Sequence, residues 1–114
     1  MQVLFLVLDK TELLNRILKT FLDCGIRGAT VISSTGMGRV LSDEVPLFSD
    51  LRAMFQDGRQ YNYTIFAVIK DEEKIERLIV ALKKVLGDLE KPGTGIMFTV
   101  PVTRVIGLAG EAGS

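Results

Sequence analysis

The chain has 114 residues and is 47% hydrophobic, which suits one compact domain with a real core, so 1–114 is read as a single domain. Lys plus Arg and Asp plus Glu both number 14, and this neutrality leaves no global field to steer the protein to nucleic acid or an anionic membrane. With no His, and Cys24 as the one cysteine, an intramolecular disulfide is excluded and the usual donors for zinc, copper or His-based catalysis are missing, so neither a metal site nor an enzyme is expected.

Residues 2–8, QVLFLVL, are apolar, rich in strand formers and stop at a polar DKTE, which predicts a buried strand. The opening has no basic n-region and no small-residue cleavage site, and no apolar run approaches the roughly 20 residues of a membrane span. A cytoplasmic protein without membrane insertion is therefore expected. Asp9 with Glu12 three residues later forms an N-cap signal, and Leu13, Leu14, Ile17, Leu18, Phe21 and Leu22 recur at helical spacing up to Gly25. Residues 29–35, ATVISST, predict a second strand. From 36 to 60 the pattern dissolves into glycines, Pro46 and scattered charges, a long loop of the kind that carries function. Within it LFSDLRAMF, residues 47–55, spaces Leu47, Leu51, Met54 and Phe55 as a short amphipathic helix would.

YNYTIFAVI, residues 61–69, predicts a third strand. Asp71 opens a second helix, with Glu72 and Glu73 well placed for its dipole, and Ile75, Leu78, Ile79, Leu82, Val85 and Leu86 form the apolar stripe that ends at Gly87. A polar linker with Pro92, Gly93 and Gly95 leads into a fourth strand, IMFTVPV at 96–102, and TRVIGLAGEAGS then leaves room for a short extra strand before a loose tail at 109–114.

The halves echo each other: Asp9 to Gly25 and Asp71 to Gly87 each span sixteen positions and bracket a helix between strands. A doubled βαβ of this size implies an α+β, ferredoxin-like βαββαβ fold, a four-stranded antiparallel sheet with two helices on one face. Val3, Phe5 and Val7 are as apolar as Leu4, Leu6 and Leu8, and Ile65, Ala67 and Ile69 match Phe66 and Val68. Two helices cover one face only, so the other needs a second cover, and a symmetric homo-oligomer joined through the sheets is the economical one.

Gly36-Met37-Gly38 does not extend to a dinucleotide fingerprint, since Leu41 stands where a third glycine would be, and no Walker sequence occurs. Alone the pair favours a tight turn with positive φ. A second pair, Gly93-Thr94-Gly95, strengthens the ligand reading, because backbone N–H groups at such turns hold an anion or the edge of a base. Arg39 would add a planar charge, its plain alternative being a solvated side chain.

The order of motifs resembles the P-II signal-transduction family over nearly the whole chain, through DKTELLNRILKTFLDCGIRGATV, GMGR entering a long segment, YNYTIFAVIKDE and, above all, GTGIMFTVPVTRVI. The resemblance implies a homotrimer of ferredoxin-like subunits with sheets lining the interior. It also implies adenine nucleotide (ATP, ADP or AMP) in clefts between subunits, and a target protein, such as a transporter or enzyme, engaged through 36–60. Matched residue by residue, the adenine-side positions are Thr30, Gly36, Met37, Gly38, Arg39, Val68, Gly93 and Gly95. The phosphate-side positions depart: Ile96 replaces a lysine, and Gly107 and Ala109 replace two arginines, so triphosphate affinity is expected to be weak unless Arg39, Arg27 or Arg104 compensates. The family's modification segment is missing, and Tyr61 and Tyr63 read as strand residues.

Phe48, Leu51 and Phe55 either face a partner or pack back on the trimer. Cys24 reads as a small buried residue, Asp43-Glu44 as a solvated pair rather than a cation site, and Met37, Met54 and Met97 as adaptable packing. Nitrogen-type regulation through a ligand and a partner is the leading functional expectation, and the alternative is a structural or metal-tolerance trimer of the same architecture.

Overall fold

The computed structural model describes residues 1–44 and 61–108. Four strands, β1 (Gln2–Leu8), β2 (Thr30–Ser34), β3 (Asn62–Ile69) and β4 (Gly95–Pro101), form one sheet in the order β2-β3-β1-β4. Every neighbouring pair is antiparallel. Helices α1 (Leu14–Asp23) and α3 (Glu72–Leu86) cover one face, and α2 (Met37–Glu44) follows β2. This is the expected α+β, ferredoxin-like arrangement.

Strand pleating sorts the side chains onto two faces. Leu4, Leu6, Leu8, Ile65, Ala67 and Ile69 point to the helices and are almost fully buried with Ile17, Phe21, Ile75, Leu78, Leu82 and Leu86. Met97 packs against this core, as expected of an adaptable thioether. The other face carries Val3, Phe5 and Val7, paired with Val68, Phe66 and Thr64 on one side and with Val100, Phe98 and Ile96 on the other. Phe5 is its centre: its ring lies 5.1 Å from Phe98, stacked, and 5.7 Å from Phe66, tilted. Ile96, Phe98 and Val100 remain 40–58% exposed, so the second apolar face foreseen from the strand sequences is present and open in the single chain.

Local signals explain most helix ends. Asp71 caps α3 by accepting from the backbone N–H of Glu73 at 2.8 Å and of Lys74 at 3.4 Å, and Gly87 ends it at φ 78°. The first helix departs from expectation. Asp9 is not its cap: a 3-10 turn, Thr11–Leu13, intervenes, and the residue before it, Lys10, makes no side-chain cap bond. The Asp9 carboxylate is instead engaged by Asn62 across the sheet end, 3.3 Å away.

Two further expectations are corrected. Residues 37–44, read as the start of a loop, are helical, with the Val40 N–H bonded to the Gly36 carbonyl at 3.2 Å. The extra strand after β4 does not occur in the described residues; one bond from the Val102 N–H to the Met1 carbonyl, 3.1 Å, extends the β1–β4 pairing and the strand ends. The helix expected at 47–55, with Phe48, Leu51, Met54 and Phe55, and the tail at 109–114 lie outside the described residues.

Replacing Leu78 with Ala, at a site with no exposure, is expected to cost about 2–5 kcal/mol in urea unfolding. Asp71→Ala should cost about 1 kcal/mol in the same measurement by leaving two helix N–H groups uncapped.

Candidate functional site

Antiparallel pairing brings the end of β1, the end of β2, the start of β3 and the start of β4 to one end of the sheet. Both glycine pairs sit there. Gly36 follows β2 and Gly95 begins β4, but β2 and β4 are the opposite edges, three strand spacings or about 14 Å apart. The two pairs therefore do not meet within one chain.

At the β2 edge, TGMGRV is a helix start rather than the positive-φ turn expected of it. Gly36 lies outside the left-handed region, and among the described residues a Cβ there would meet only the Asn62 amide nitrogen at 3.9 Å. Met37 and Gly38 are the first two residues of α2, with Gly38 buried and Met37 72% exposed. Arg39 is the third; its side chain lies outside the described residues, as do those of Asp43 and Glu44.

At the β4 edge the Gly93-Thr94-Gly95 turn is held by Asp88, a residue the sequence reading passed over. The Asp88 carboxylate accepts from the Glu90 N–H at 2.9 Å and its carbonyl from the Lys91 N–H at 3.2 Å, an Asx-type turn. Thr94, 1% exposed, donates its hydroxyl to the Asp88 carbonyl at 3.4 Å, while its own carbonyl accepts the Asp9 N–H at 3.1 Å. Gly93 has φ 86° and Gly95 φ 146°, and a Cβ on Gly95 would overlap the Val7 carbonyl oxygen. Close approach of β4 to β1 is thus reason enough for this glycine.

A polar chain joins the two corners across the sheet end. From Thr94 it passes to Asp9, then to Asn62, whose amide nitrogen donates to the Asp9 carboxylate. Ser34 donates its hydroxyl to the Asn62 side-chain oxygen and, at 3.3 Å, to its carbonyl, and its oxygen lies 3.0 Å from that of Thr64. Ser34, Asn62 and Thr64 have no motif in sequence, and only strand register brings them to Asp9 and Thr94.

Thr30 and Val68 are elsewhere. Thr30 pairs with Phe66 and Val68 with Val3, so both belong to the open face, with Thr30 about 13 Å along β2 from Ser34. The eight expected positions fall into three groups: the β2 corner, the β4 corner and the open face.

The positions matched to phosphate contacts that are described, 96 and 107, carry no charge. Ile96, next to the Gly95 corner, presents a 58% exposed apolar side chain on the open face. Gly107 presents none, at φ 97° with no described atom within 4 Å of where a Cβ would stand, and Ala109 lies outside the described residues. Arg27 precedes the start of β2 beside Leu22 and Val31, and Arg104 follows the end of β4, so both leave from strand ends opposite the glycine corners.

Other features carry less chemistry. Burial pushes the Cys24 thiol above its ordinary range, Arg77 partly offsets this, and Asp23 adds to it, so Cys24 is not an activated thiolate. Tyr61 precedes β3 rather than belonging to it, and its ring meets Tyr63 edge-on at 5.7 Å; that neighbour is the main cause that raises the Tyr63 hydroxyl pKa. A groove of about 580 Å³ between α1 and α3, lined by Thr20, Arg77, Val80 and Val85 among others, lies in the helix layer and includes none of the eight positions. No helix among the described residues is long and apolar enough to cross a membrane.

No individual curated protein matches the chain. The family model for nitrogen regulatory protein P-II matches residues 4–111, which takes in every described strand and helix except the first two residues of β1. With this match over a ferredoxin-like sheet, the chain belongs to the P-II family of regulatory signal-transduction proteins.

Proposed function

We propose that the protein is a P-II-type regulator that assembles as a homotrimer, holds an adenine nucleotide or related small ligand between subunits, and engages a target protein, a transporter or an enzyme, through residues 36–60. The observation that carries this reading is the separation of the glycine corners. A site needing both has to take the β2 edge from one copy and the β4 edge from another, because a single chain keeps them about 14 Å apart.

The open sheet face supports the same assembly. Phe5, Phe66 and Phe98 form an aromatic row flanked by Val3, Val7, Ile96 and Val100, and turning three such faces inward removes from water a surface that would otherwise promote aggregation. Thr30 and Val68, on that face, are then brought near the subunit boundaries rather than left in solvent.

In this assembly Gly36, Met37, Gly38 and Arg39 provide one wall of each cleft and Gly93 and Gly95 the other. Ligand occupancy is read out at α2, because the helix begins at the cleft wall and is itself the first part of the segment offered to the partner. Family members are regulators rather than enzymes, and the function assigned is ligand-dependent binding without chemistry on the ligand.

Light scattering at micromolar concentration is expected to give three times the 12.6 kDa chain mass, and a monomer would overturn the assembly. Phe5→Asp should shift the mass to monomer, since a charge at the centre of the stacked row has no partner there. Thermal-shift titration with ATP, ADP, AMP, cyclic AMP and bicarbonate tests ligand binding; a ligand at one hundred times its Kd adds about 2.7 kcal/mol of stability. No response to any of them would remove the ligand-sensing part of the function.

A further inference from the structure

We propose that Ile106 of one copy seats in an apolar pocket at the β2 edge of the next, a contact between subunits on the helix side of the sheets. The inference rests on the ring described above and adds to it a contact that the open sheet faces do not make.

The pocket lies beside β2 in the helix layer. Val31 pairs with the core residue Ile65 and so faces the helices, and β2 is the edge strand of the described sheet. Between this strand and the end of α1, Phe21, Leu22, Ile26, Ala29 and Val31, with Arg27, line a pocket of about 230 Å³. Leu22 is 60% and Val31 38% exposed, so the apolar wall meets water in the single chain. Small-molecule sites usually span about 300–1,000 Å³, and a pocket below that range suits an aliphatic side chain better than a ligand.

Ile106 supplies such a side chain. At 82% it is the most exposed large apolar residue among the described residues, and it stands five positions beyond Pro101, the last residue of β4. Rotational symmetry sets where it goes. In a ring of copies related by rotation, the sheet end that carries the glycine corners points the same way in every copy. Where the β2 edge of one copy meets the β4 edge of the next, the corners meet at one end. At the other end the start of β2, where the pocket lies, meets the residues that follow β4. Five residues of chain reach up to about 17 Å, several times the roughly 5 Å between neighbouring strands. Its own pocket stays unfilled by Ile106, as its exposure shows; the neighbour's lies across the boundary, and one contact withdraws both apolar surfaces from water.

Cross-linking between two kinds of chain tests the contact. In a Cys24→Ser background, full-length chain carrying Leu22→Cys is co-expressed with full-length chain carrying Ile106→Cys, and the purified mixture is treated with a short bismaleimide. Cross-linked pairs are expected from the mixture and from neither variant alone. A trimer by light scattering without cross-linked pairs, or with pairs from one variant alone, overturns the contact and leaves the ring standing; a monomer overturns both. Ile106→Asp gives an independent measure. Because Ile106 is exposed in the single chain, this variant should keep the wild-type circular dichroism, while the concentration at which the trimer is half dissociated rises about tenfold or more. An unchanged midpoint overturns the contact.

Discussion

The arrangement depends on β1, which pairs along its whole length with β3 on one side and β4 on the other. A strand with neighbours on both sides has its side chains flanked on each face by those of the adjoining strands, the most sheltered place in the sheet for apolar groups. Leu4, Leu6 and Leu8 use this shelter to anchor the helix-covered core, and Val3, Phe5 and Val7 use it to form the ridge of the open face. The edges then have no choice: β2 and β4 are the strands left, and each begins or ends at a glycine pair.

The sheet end where those glycines lie is held by polar groups rather than by packing. Asn62 and Ser34 lie on adjacent strands, Asp9 directly follows β1, and its backbone reaches Thr94, which directly precedes β4. Hydrogen bonds of this kind contribute modestly each, about 1 kcal/mol, but they fix direction better than apolar contacts do. Leu8 ends the core at this level, and the network takes over where the apolar side chains stop.

Much of this was legible in the strands and in α3, because their signals are local. QVLFLVL marks β1 to the residue, and Asp71 with Gly87 brackets α3 through one cap at each end. Asp9 misled because a carboxylate three residues before a Glu satisfies the capping pattern whether or not the helix uses it; the competing donor, Asn62, is 53 positions away in sequence. The stretch after Gly36 misled for a related reason: two glycines outweighed the helical spacing of Met37, Val40 and Leu41, although glycine is an acceptable residue just before a helix. Asn62 and Ser34 carried no sequence signal, since their partners are set by strand register alone. The glycine pairs were legible as residues, but their placement on opposite edges follows from strand order, which neither pair encodes.

That placement makes recognition divisible. In the proposed ring each cleft takes its walls from two different copies, so damage to the β2 corner and damage to the β4 corner are separate lesions. A chain carrying only the first and a chain carrying only the second would each form rings with no whole cleft. Mixed in one ring, the intact β2 corner of one chain can face the intact β4 corner of the other, and complementation between two defective copies restores a site that neither has alone.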